Sequence, residues 1–63
     1  MKAKVGDSVR VLVGGKPTAS TGVVTRVVVN PNTIHEFTKY EVELTLGERH
    51  IYPSINLAHD EDA

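Results

Sequence analysis

Cysteine is absent from the chain, and tryptophan with it. No disulfide framework can therefore supplement the core of these 63 residues, and thiol chemistry and Cys-based zinc sites are excluded. Aromatic residues are scarce, one Phe and two Tyr. No uninterrupted apolar run exceeds three residues, as at 27–29, so neither a membrane span nor a signal-peptide core is expected and the chain reads as cytoplasmic. A strong charge of either sign is missing too: the formal net charge is −1. Without Asp60, Glu61 and Asp62, seven basic residues face five acidic ones, well short of the basic balance of a dedicated nucleic-acid binder. So short a chain forms one domain that buries only about 60% of its unfolded surface, and domains of this size without covalent staples often gain stability by oligomerising.

What the chain has instead is valine. Residues 22–29, Gly-Val-Val-Thr-Arg-Val-Val-Val, hold five of its ten valines. β-Branched side chains are stiff at χ1 and pack well on a pleated surface. Strict alternation puts Val23, Thr25, Val27 and Val29 on one face and Val24, Arg26 and Val28 on the other, so both faces are largely apolar. Such a strand belongs in the middle of a sheet or at a bend shared by two layers. Gly22 at its start permits a sharp turn or a close backbone approach.

The rest reads as short strands and turns. Gly6 and Asp7 give turn chemistry after Val5. Residues 8–13 alternate, with Val9, Val11 and Val13 on one side, as a half-buried strand does. Residues 14–21, rich in glycine and small polar side chains, read as a loop. Asn30-Pro31-Asn32 stops the central strand, and Ile34 and Phe37 fold back over one end of the core. Residues 38–46 alternate again, with Tyr40, Val42, Leu44 and Leu46 inward and Lys39, Glu41 and Glu43 in solvent. Gly47 is the positive-φ residue of a tight hairpin. Residues 49–52 return as a short strand with Ile51 inward, and Pro53 ends it. Residues 53–57 suit a 3₁₀ turn whose Ile55 and Leu57 close the core. The division is thus residues 1–58 as the folded unit and 59–63 as an acidic, disordered tail.

Four or five short strands with a terminal 3₁₀ turn resemble the SH3-like barrels. Val5-Gly6-Asp7-Ser8-Val9-Arg10-Val11 contributes to the likeness, and residues 21–27 resemble the Gly-x-Val-x-x-Val core of KOW-type barrels. The fold class expected is all-β, a small SH3-like barrel. A narrower resemblance is to the plasmid-borne type II dihydrofolate reductases, SH3-like barrels that assemble as tetramers around a pore. Arg49-His50-Ile51-Tyr52-Pro53 is similar to their pore motif, with Tyr40 to Glu43 and Gly6 to Arg10 similar upstream. Ile51 and Tyr52 match pore positions. His50 stands where the family carries glutamine and Val11 where it carries a charge-attracting lysine. That likeness implies a shared scaffold binding NADPH and dihydrofolate in a common pore.

No catalytic constellation accompanies these features. His35, His50 and His59 lie fifteen and nine residues apart without helical pairing, so no metal site is expected. Glu41 and Glu43 beside Lys39 read as a solvated, ion-paired face. Arg26, the only charge in the most apolar strand, is expected at an edge, at an interface or paired with Glu41 or Glu43. The function expected is a non-catalytic binding or assembly module without a cofactor, contacting its partner through His50, Ile51, Tyr52, Arg26 and Arg49. Surplus valine at Val24, Val27, Val28 and Val29 points to a homo-oligomer or protein partner. The alternatives are the NADPH-binding reductase-like oligomer and a weak RNA- or DNA-binding barrel using Arg10, Arg26 and Lys39, joined by Lys16 and Arg49, with stacking on Tyr52 and His50.

Overall fold

In the computed structural model, which describes residues 2–29 and 38–62, the chain is a single antiparallel sheet. Its strands are β1 (Ser8–Val13), β2 (Lys16–Val28), β3 (Lys39–Leu44), β4 (Arg49–Pro53) and β5 (Leu57–His59). Their order across the sheet is β4-β3-β2-β1-β5, which leaves β4 and β5 at the two edges. One 3₁₀ turn, Ser54–Asn56, joins β4 to β5 and a second, Asp60–Asp62, follows β5. The turn after residue 29 and the placing of Ile34, His35 and Phe37 fall outside the described residues.

The valine-rich stretch occupies the middle of the sheet, as its two apolar faces require, but it is longer than its composition suggests. Gly14 and Gly15 take φ of 59° and 77°, the paired positive values of a type I′ hairpin turn. The stretch read as a loop is therefore the first half of β2, paired back along β1 through Leu12 with Pro17 and Val13 with Lys16. The register slips between Arg10 and Leu12, and the Thr18 hydroxyl donates to the Val11 carbonyl at 2.8 Å, occupying an acceptor at the irregularity.

A second irregularity changes which valines face inward. Val24 pairs with Val42 and Arg26 with Glu41, so Thr25 is an extra residue, and its hydroxyl donates to the Glu41 carbonyl at 3.2 Å. A one-residue bulge reverses the facing of everything beyond it. Val24 and Val27 consequently share the inner face, while Val23, Arg26 and Val28 share the outer one, which corrects the strict alternation expected for residues 22–29.

The core consists of Val9, Val11, Val24, Tyr40, Val42 and Leu57, with Ala3, Val27, Leu44 and Tyr52 packed against it. Burying a valine or leucine side chain fully contributes roughly 1.5–3 kcal/mol. Gly22 faces Val9 on one side and Leu44 on the other. A Cβ there would collide with the Glu43 carbonyl oxygen and lie 2.7 Å from Val42 Cγ1, so glycine is what lets β2 and β3 close together. The N-terminal segment is fixed by Gly6 N–H to the Val24 carbonyl at 2.8 Å, Val24 N–H to the Asp7 carbonyl at 3.0 Å and Ala3 N–H to the Tyr40 hydroxyl at 3.2 Å.

Several inward assignments are corrected. Val13 and Leu46 lie at hairpin ends beyond the reach of the core, and Leu46 is 92% exposed. Ile55 is 73% exposed, and Ser54 is the buried residue of its turn. In β4 the inward residue is Tyr52 rather than Ile51, because the register pairs Tyr52 with buried Tyr40 and Ile51 with Glu41. Nor does the chain leave the fold at residue 58: Ala58 pairs with Arg10, His59 pairs with Val9, and Asp60 begins a 3₁₀ turn.

Candidate binding surface

The outer face of β2, β3 and β4 is laid out by cross-strand neighbours. One row runs Val23, Glu43, Arg49; the next runs Arg26, Glu41, Ile51; the third runs Val28, Lys39, Pro53. Each glutamate on β3 is paired with an arginine on a flanking strand. Arg26 reaches Glu41 Oε2 at 3.3 Å, and Arg49 Nε lies 3.8 Å from Glu43 Oε1. Thr25 Oγ1 donates to Glu41 Oε1 at 2.9 Å, so the bulge residue helps hold the carboxylate that meets Arg26. These pairs are mostly solvated and carry little energy. Their consequence is chemical: they neutralise the two rows that hold Val23 and Ile51, and leave Lys39, in the third row between Val28 and Pro53, as the remaining cation of the face.

The residues expected to form a contact surface divide between the two faces of the sheet. Arg26, Arg49 and Ile51 lie on the outer face, while His50 and Tyr52 follow the inner face. The His50 and Tyr52 ring centroids are 6.2 Å apart at an interplanar angle of 57°. His50 Nε2 lies 3.1 Å from Glu48 Oε2 in the preceding turn. Among the four valines expected at an interface, Val24 is wholly inside the chain's own core and has no surface to offer. Val27 and Val28 are half-buried, and Val29 is exposed.

Of the cations expected to share a nucleic-acid face, Arg26 and Lys39 lie in adjacent rows of the outer face, whereas Arg10 stands on β1 opposite Thr21. Arg10, on β1, donates to the Thr18 carbonyl at 2.8 Å and to Asp60 Oδ1 at 2.9 Å. That pair had no signal in the sequence, since its members are fifty residues apart and only the β1–β5 pairing brings them together. A cleft of about 190 Å³ lies between the first half of β2 and the β3–β4 hairpin, lined by Ala19, Thr21, Leu44 and Leu46 among others. Among the described residues no three His, Asp or Glu side chains converge as a metal site, and no helix is long and apolar enough to cross a membrane.

No family model, no curated protein and no solved structure matches the chain.

Proposed function

We propose that this protein is a non-catalytic binding or assembly module of SH3-like architecture that associates with itself through the β2-β3-β4 flank of its sheet. The single observation that carries this reading is Ile51, an isoleucine 51% exposed on an edge strand in a chain with few large apolar side chains to spare. Around it Arg26 and Arg49 are neutralised by Glu41 and Glu43, so covering the two rows that contain Ile51 and Val23 leaves no lone charge behind, Lys39 standing in the third row beside Pro53 at the end of β4. The strand order, the long β2 with its two irregularities and the 3₁₀ turn before β5 all support the SH3-like resemblance. Sedimentation velocity from micromolar to sub-millimolar protein tests the assembly: a dimer or larger species is expected, and a monomer throughout would sink it.

The tilted His50–Tyr52 ring pair favours a second reading, a reductase-like oligomer that holds a nicotinamide cofactor where copies meet. NADPH-dependent chemical-shift changes confined to His50, Ile51 and Tyr52 would establish it, and an unchanged spectrum at millimolar NADPH would dismiss it. A salt-dependent response to oligonucleotides, lost in Arg10→Ala and Arg26→Ala, would instead identify a nucleic-acid binder.

A further inference from the structure

We propose that two copies of this chain join along β4, antiparallel and in register about Ile51, so that the two sheets continue as one. This rests on the assembly reading above and specifies its seam.

The backbone of β4 gives the first reason. Bonded and non-bonded pairs alternate along an antiparallel ladder. At one end of the β3–β4 ladder Leu44 N–H donates to the Glu48 carbonyl at 2.7 Å, and at the other Ser54 N–H donates to the Thr38 carbonyl at 3.1 Å. Both ends fix the same phase: His50 and Tyr52 turn their N–H and C=O groups toward β3, while Arg49 and Ile51 turn theirs to the open edge. The ladder gives those outward groups no partner among the described residues. Edge strands are commonly protected by extreme shortness, charged side chains, proline, a bulge or a covering segment. β4 runs five residues, Arg-His-Ile-Tyr-Pro, without a bulge, and carries its charge and its proline at its two ends, so that His50, Ile51 and Tyr52 between them have neither.

The side chains select a second copy over an unrelated strand. Pairing about Ile51 places each Ile51 against the partner's Ile51, giving an apolar neighbour to a side chain whose own cross-strand neighbour is Glu41. On the opposite face it sets Tyr52 beside the partner's His50, extending the ring contact already present within β4. Each Arg49 falls beside the partner's Pro53, so the cations stay apart. Pro53 has no N–H, so this outermost pair makes one of its two ladder bonds: the Pro53 carbonyl accepts from the partner's Arg49 N–H, and the Arg49 carbonyl at the end of the seam is left to water. A slip of one residue would turn Ile51 to the wrong face, and a slip centring on His50 would set His50 against His50. The strand is thus self-complementary about one residue, as a two-fold axis requires.

The absence of cysteine makes the test clean. Ile51→Cys carries the chain's only thiol at the proposed axis, where Cα atoms of a bonded antiparallel pair lie about 5.5 Å apart, within disulfide range. Under mild oxidation it is expected to cross-link far faster than Leu46→Cys, whose position at the exposed hairpin tip reports random collision. Ile51→Pro removes the outward N–H without taking a bond from β3, and is expected to sediment as a monomer with its β-sheet circular dichroism retained. Should that variant lose its fold, Ile51→Lys decides, since it keeps the backbone intact and sets like charges against each other. No preference for cross-linking at position 51, or a dimer that survives Ile51→Lys, overturns the seam while leaving assembly through another surface standing. A wild-type chain that is monomeric at every concentration overturns both.

Discussion

At its β5 edge the sheet ends in three residues that are tied down from several directions, whereas at its β4 edge it ends in five that are held from one side only. Leu57 is buried in the core, Arg10 reaches past Ala58 to Asp60, and the His59 ring meets the Lys2 carbonyl at 3.0 Å. The β4 edge has Tyr52 packed against the core, but Ile51 is half exposed, and the Arg49–Glu43 pair is long and solvated. One edge is short and clasped by side-chain contacts of the chain itself. The other presents backbone donors and an apolar side chain, and that difference suits a protein that finishes folding on one side and meets its partner on the other.

The largest effect is expected where the two flanks meet. Gly22→Val would drive a side chain into the Glu43 carbonyl and Val42, and since backbone cannot step aside, β2 and β3 would have to separate. Overpacking of this kind costs roughly 1–3 kcal/mol or more, against a total of only about 0.05–0.15 kcal/mol per residue. Loss of the cooperative unfolding transition in urea is the expected outcome. A variant that unfolds like wild type would show that the flanks are not coupled through Gly22.

The next effect contrasts the edges directly. Leu57→Ala empties a fully enclosed site and is expected to destabilise by about 2–5 kcal/mol, the range for large-to-small core changes. Ile51→Ala, at a half-exposed position on the other edge, is expected to cost under about 1 kcal/mol in the monomer, by the area it can still uncover. Chemical denaturation at a concentration low enough to keep the chain monomeric measures both. Equal losses would erase the distinction between a closed and an open edge.

How far these edges could be read from sequence follows from the range of the interactions that make them. β1, β3, the positive φ at Gly47 and the 3₁₀ turn after Pro53 follow from alternation and turn chemistry within a few residues. Gly22's close approach and the pairing of Arg26 with a β3 glutamate were legible because each is the odd residue in an otherwise apolar strand. The bulge at Thr25 was not: threonine is an ordinary strand residue, and only the β3 register makes it the extra one. β4 was ambiguous for a related reason. Arg49 with Ile51 and His50 with Tyr52 are equally mixed pairs, and only the hairpin phase that sets Tyr52 against Tyr40 decides between them. Leu-Ala-His is too short to announce β5, whose partner β1 lies some fifty residues earlier in the chain.

Two arginines give the finest comparison. Arg10 holds both a backbone carbonyl, that of Thr18, and the Asp60 carboxylate, and its side chain is only 28% exposed. Arg10→Ala is expected to cost about 1 kcal/mol, combining a charged hydrogen bond with a partly screened ion pair. Arg49 meets Glu43 at 3.8 Å with its side chain 60% exposed, a distance and setting at which side-chain entropy and solvent offset most of the attraction. Arg49→Ala is therefore expected to change monomer stability by less than about 0.5 kcal/mol. Urea midpoints on dilute protein would resolve the two. Had Arg49 been part of what holds the sheet together, its loss would match that of Arg10, and the β4 edge would be a structural boundary. A near-neutral result leaves its pairing with Glu43 a different use: balancing the charge in the row next to Ile51, so that whatever lies against that part of the strand need not bury Arg49 or Glu43 as a lone ion.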